Sequence, residues 1–174
     1  MSTIRKADFY YGSLLSVLVN NEVAPAIVHP SDDPRRIYSV TTNNGDFEIY
    51  SKYVTEPGDR QKNNSKLWNF NFSKEEVQSI NQYKSEDKTV LFALLCGQHH
   101  KLQDSEIAVL TLEQAKDCLD SAYLRENHRI AVKTEHNKPD LRVYGTGRSD
   151  ENRIRIKRFD FSLLKREEPS TVNK

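Results

Sequence analysis

GDFEIYSKYVT, residues Gly45 to Thr55, is the stretch whose reading decides the fold. It is bounded by Asn43-Asn44-Gly45, residues that tolerate positive φ, and so reads as the return strand of a β-hairpin. Side chains alternate between the two faces of a strand. Phe47, Ile49, Ser51 and Tyr53 therefore share a mostly apolar face that belongs to the core, and Asp46, Glu48, Tyr50 and Lys52 share the other. Alternate residues on one face stand about 6–7 Å apart, which puts two carboxylates and an ammonium in a line. Two readings stand side by side: a solvated strand face with its own ion pairing, or half of a metal-dependent site with Asp46, Glu48 and Lys52 as its catalytic residues.

Upstream, Tyr10, Leu14, Val17 and Leu18 recur at helical spacing and predict a helix over residues 5–20. Val23 to Val28 predicts a short strand, with Pro25 at an edge or bulge. His29 to Pro34 is a turn, and Arg36 to Thr42 is the outgoing strand of the hairpin.

Downstream, residues 55–66 are polar and aperiodic and read as a loop. Leu67 to Phe72 alternates, with Trp68, Phe70 and Phe72 on one face beneath a following helix. Ser73 with Glu76 is a capping box opening that helix over about 74–84, and Thr111 with Gln114 is a second, for a helix through Leu119. Between them, the apolar run Thr89 to Leu95 predicts a strand covered on both faces, and Glu106 to Leu110 another. Arg129 to Thr134, Leu141 to Gly145 and Arg153 to Phe161 read as C-terminal strands. The expected class is α+β: a mixed sheet with flanking helices, in one domain over residues 1–174 whose last ten residues, 165–174, fray.

The totals set limits on function. The 174 residues are 36% hydrophobic and 29% charged with a net charge of +1, so any nucleic-acid surface must come from clustering rather than from the total. Cys96 and Cys118 form no CxxC pair, so neither a disulfide framework nor a zinc site is indicated, and the reading is the reduced thiols of a cytoplasmic protein. Arg5 and Lys6 precede a run, Phe9 to Val19, that superficially resembles a signal peptide, but Asp8 and Tyr-Tyr-Gly-Ser dilute it. No stretch approaches the ~20 apolar residues of a membrane span.

Helix, three-strand meander, helix, strand is the element order over residues 5 to 110. In this the chain resembles the restriction-endonuclease-like, or PD-(D/E)XK, superfamily. The resemblance implies a core of αβββαβ order, with acids from the second and third strands and the first helix holding divalent ions such as Mg2+, and a lysine beside the phosphate. Lys52 stands at the lysine position, but Tyr50 occupies the place of the acid two residues before it. Glu48 and Asp46 lie further back on the same face, the strand-two acid is left to Asp32 or Asp33, and Asp8 is the acid of the first helix. The implied protein is nucleic-acid-associated, with a nuclease-like fold and a degenerate catalytic motif.

Arg142, Arg148, Arg153, Arg155, Lys157 and Arg158 concentrate positive charge near the C-terminus. Arg153, Arg155 and Lys157 share a strand face and read either as a phosphate-binding ribbon or as a charged, aggregation-resistant edge. Cys96, His99, His100 and Asp104 are residues able to ligate a metal, in a spacing that matches no zinc pattern. No nucleophile elbow or His-Asp pairing supports acyl transfer. The other functional class left open is a small bacterial or phage accessory protein that acts by binding another protein.

Overall fold

In the computed structural model, which describes residues 3–27, 36–42, 45–58, 65–83 and 89–164, the elements follow in this order. Helix α1 (Lys6–Asn20) leads into the meander β1 (Pro25–Ile27), β2 (Arg36–Thr42) and β3 (Gly45–Val54). Then come β4 (Lys66–Ser73), α2 (Lys74–Asn81), β5 (Thr89–Cys96), β6 (Glu106–Thr111) and α3 (Leu112–Leu119). β7 (Asn127–Thr134), β8 (Leu141–Gly145) and β9 (Ile154–Ile156) complete the described strands, and a short 3-10 turn, Ser162–Leu164, follows. The expected Asn43-Asn44 turn, the acids Asp32 and Asp33, and the tail 165–174 lie outside the described residues.

The described residues form an α+β fold with two sheets. The first is mixed, in the order β1-β2-β3-β5-β6, and the second is antiparallel, in the order β4-β7-β8-β9. The hairpin closes as predicted, with Thr42 opposite Gly45, whose φ of 112° is open to glycine and strained for other residues. β5 runs parallel to β3, with Val54 beside Cys96, so both chains leave the sheet at the same edge. A parallel pair needs a crossover; β4 and α2 supply it, and β4 builds the start of the second sheet on the way.

α1 covers one face of the first sheet. Tyr11, Leu14 and Leu18 pack there with Phe47, Ile49 and Leu91. The run that superficially resembled a signal peptide is thus part of a core helix. The second sheet covers the opposite face, where Tyr50, Phe92 and Leu94 meet Trp68, Phe70 and Phe72 in one buried cluster. Val77 and Ile80 of α2 and Ala115 and Leu119 of α3 close its sides.

Burial of β5 on both faces follows the apolar run: Leu91, Ala93 and Leu95 point toward α1, and Phe92 and Leu94 toward the second sheet. Both helix caps form. Ser73 accepts from the Glu76 amide at 3.1 Å, and Thr111 and Gln114 exchange both bonds of a full capping box. The Ser73 box is only half made, because the Glu76 side chain points elsewhere.

One prediction is corrected here. The Asp46-Glu48-Tyr50-Lys52 face is solvated only at its start: Asp46 is exposed and Glu48 half-buried, whereas the second sheet lies against the later positions and Tyr50 is 1% exposed. A second concerns the last strand: β9 spans only Ile154–Ile156 of the expected 153–161.

Candidate functional site

Lys52 projects from β3 into the seam between the sheets. Its ammonium donates to Glu76 Oε1 at 3.1 Å and Oε2 at 3.0 Å and to the Asn71 carbonyl, and it stands 4.2 Å from the centre of the Phe72 ring. Tyr50 donates its hydroxyl to Glu76 Oε2 at 2.7 Å. The pair is largely withdrawn from solvent, with side-chain exposures of 12% for Lys52 and 18% for Glu76. Glu76 was legible only as a capping residue. A carboxylate facing a largely buried ammonium gains more than one facing a backbone amide, and the charge pair wins.

The acids expected around Lys52 do not converge on it. Asp46, exposed at the start of β3, accepts from the Thr41 hydroxyl at 3.0 Å. Glu48 is four residues before Lys52, about 13 Å along an extended strand. Asp8 sits on α1, against the other face of the first sheet, where it accepts from the Arg5 amide at 2.8 Å. A hard cation wants several oxygens at one point, and the described residues do not fit a magnesium ion at Lys52.

Apart from Lys157, the C-terminal cations divide into three places. Arg158 reaches the edge of the first sheet, donating to Glu106 Oε1 at 2.5 Å and to the Pro139 carbonyl at 3.1 Å. Burial raises the Glu106 carboxyl above its usual range, against the pull of Arg158 and Lys66. Arg148 pairs with Asp117 beside α3 and donates to the Asn152 carbonyl at 2.8 Å. Lys157 is exposed beyond β9.

The third place is the outer face of the second sheet. The inward positions of β7 and β8 carry Ile130, Val132, Leu141 and Val143, so Arg129, Lys133, Arg142 and Tyr144 point outward. Lys133, Arg142 and Arg155 lie side by side in the register of β7, β8 and β9. Lys133 reaches Asp150 Oδ2 at 3.1 Å, while Arg153 bonds Asp150 Oδ1 at 3.1 Å and Glu135 Oε1 at 2.9 Å. Arg142, 3% exposed, lies beneath this network, with its Nε 3.7 Å from Glu135 Oε2. Burial raises the Asp150 carboxyl, but the hydrogen bonds from Lys133 and Arg153 outweigh it and hold the group below its ordinary value. Arg129 and Arg155 are exposed outside the network. Arg129 lies 5.6 Å from the Tyr144 ring centre and donates to Asn69 Oδ1 at 3.4 Å.

Of the four residues Cys96, His99, His100 and Asp104, the structure brings together only the histidines, and it adds Glu56 from the end of β3. Cys96 is sealed in the core, where burial and the nearby Glu106 push its thiol up. Cys118 is likewise buried and is pushed up to about 12, so neither thiol is a nucleophile at neutral pH. Asp104 pairs with Lys101 at 2.9 Å. Partial desolvation, His100 and Lys6 hold the His99 imidazole below its usual value.

No helix among the described residues is long and apolar enough to cross a membrane. Set against known protein families, curated proteins and solved structures, the chain matches none of them.

Proposed function

We propose that the protein binds nucleic acid through the outer face of its second sheet, on a nuclease-like fold that has lost its metal-dependent chemistry. The observation that carries this reading is the composition of that face. Arg129, Lys133, Arg153 and Arg155 outnumber Glu135 and Asp150, the carboxylates that pair with Lys133 and Arg153 above the buried Arg142. Excess positive charge on one exposed sheet neutralises phosphates. Tyr144 adds a stacking surface and Asn69, across Ala131 in the same row, a hydrogen-bonding side chain; Arg129 contacts both. α1, the β1-β2-β3 meander and β5 parallel to β3 support the nuclease-like order. Lys52 is structural in this reading: Glu76 occupies its ammonium, and Tyr50 is buried where a ligand acid would stand.

The test is binding of labelled single-stranded and duplex oligonucleotides over a salt series. Replacing Arg129 and Arg155 together by Gln should flatten the salt slope by about two phosphate contacts. An unchanged slope, or no binding at low salt, overturns the reading. So does magnesium-dependent cleavage that Lys52→Ala abolishes.

A second reading, a protein-binding accessory module, is favoured by one feature. A mainly apolar cleft of about 270 Å³ between α1 and β6 is rimmed by Leu102 and Phe159, which are 65% and 43% exposed. Capture of a protein partner that Leu102→Asp releases, without nucleic-acid binding, promotes this reading.

A further inference from the structure

We propose that Glu56, His99 and His100 form a binding site for a divalent transition ion of the zinc class at the edge where the parallel strands β3 and β5 end. This site is separate from the nucleic-acid face and from Lys52. Glu56 follows β3 and the two histidines follow β5, and the parallel register delivers the two loops side by side. One ligand atom from each residue lies within 4.8 Å of the others, the one such grouping of three among the described residues. His99 Nδ1 and His100 Nε2 both turn toward Glu56 Oε1. Adjacent residues diverge on a strand, but these two lie in a turn, and their ring centres are 3.8 Å apart.

The backbone beneath the three side chains is fixed on both sides. Gly97 donates its amide to the Val54 carbonyl at 2.7 Å, and its own carbonyl accepts from Trp68 Nε1 at 2.8 Å. A Cβ on Gly97 would fall 2.7 Å from the Tyr10 ring and 2.8 Å from the Val54 carbonyl oxygen, so only glycine fits this approach. Gln98 donates its amide to Ser105 Oγ at 3.0 Å and its side-chain nitrogen to the Asp104 carbonyl at 2.8 Å. Its side-chain oxygen accepts from Lys66 at 3.1 Å. On the Glu56 side, the Gly58 amide is tied to the Leu67 carbonyl at 2.8 Å. Exposed ligands on an anchored frame need only small side-chain rotations to close on an ion. Donor atoms of a tetrahedral site stand about 3.4 Å apart when metal–ligand bonds are near 2.1 Å.

The donor set selects the ion. Two imidazoles and one carboxylate suit zinc and its first-row neighbours rather than magnesium or calcium, which take oxygen ligands. With no thiolate in the set, copper(I) is disfavoured. Three protein ligands leave a coordination position open to water or to an anionic ligand, and the site lines a cleft of about 290 Å³ with room for one.

The experiment is calorimetric titration of the metal-free full chain with Zn2+ in excess Mg2+, joined to visible spectroscopy with Co2+. One equivalent should bind, undisturbed by Mg2+, with the Co2+ absorption of a low-coordinate site. Removing a group that merely orients a ligand weakens metal sites about 10–100-fold, so His99→Ala and Glu56→Gln should each cost about 100-fold. His136→Ala, an exposed histidine elsewhere, should leave the titration unchanged. The altered side chains are at the surface, and circular dichroism confirms folding. A parent chain that binds no Zn2+, or binding retained in both His99→Ala and Glu56→Gln, overturns the assignment.

Discussion

β3 of the first sheet and β7 of the second both alternate polar with apolar residues, yet the polar residues meet opposite fates. β3 is pressed between α1 and the second sheet, so its late polar positions are absorbed: Tyr50 into the core and Lys52 into a pair with Glu76. β7 has only one covered face, and Arg129 and Lys133 remain at the surface of the other. Alternation says which residues share a side. It does not say what lies against that side. In a two-layer fold this decides whether a lysine holds the structure together or meets a ligand.

The sharpest way to break this contrast is to empty the doubly covered layer. Leu94, fully buried between the sheets, should cost about 4 kcal/mol when replaced by Ala, read by urea denaturation. A loss of a few tenths would mean the sheets are not packed through it. Next in size is Glu76→Ala, which takes the paired carboxylate from the Lys52 ammonium in the seam and from the Tyr50 hydroxyl. A loss of about 3 kcal/mol is expected. The double change Lys52→Met with Glu76→Leu should recover most of it, because the penalty lies in an uncompensated charge. A double variant as unstable as the single one would make the pair more than structural. Smallest is Arg155→Ala on the open face, expected within about 0.5 kcal/mol of the parent in thermal melts. A larger loss would show that this face is tied down rather than available.

Local signals made much of the fold legible. The capping residues Ser73 and Thr111, the glycine of the β2-β3 turn and the apolar run of β5 each state their structure within a few residues. The second sheet's position was not so recorded. Trp68, Phe70 and Phe72 announce a buried face, but nothing nearby says that Tyr50 and Phe92 are what they bury against. The sites fared accordingly. Lys52 stood out by type and position, whereas its partner Glu76 was hidden by a second plausible role at the start of α2. His99 and His100 were legible only within a group with Cys96 and Asp104, whose spacing matches no zinc pattern. Glu56 lay in a polar loop and joins them only because β3 and β5 are parallel neighbours, a pairing set by a crossover many residues long. The basic residues read as one C-terminal group are divided by the fold among three surroundings, since Arg148 and Arg158 found acids on α3 and β6.

The bond from the Trp68 indole to the Gly97 carbonyl joins the second sheet to the loop that leaves the first. Trp68 is also the chain's single tryptophan and has no exposed surface. Intrinsic fluorescence therefore carries an unmixed signal from the place where the layers meet. Separation of the sheets would admit water to the indole and move its emission to the red, even with each sheet's own hydrogen bonds intact. Far-ultraviolet dichroism would follow those hydrogen bonds instead. Running the two probes through one unfolding transition reports whether the layers part before they melt or only as they melt, with no label introduced.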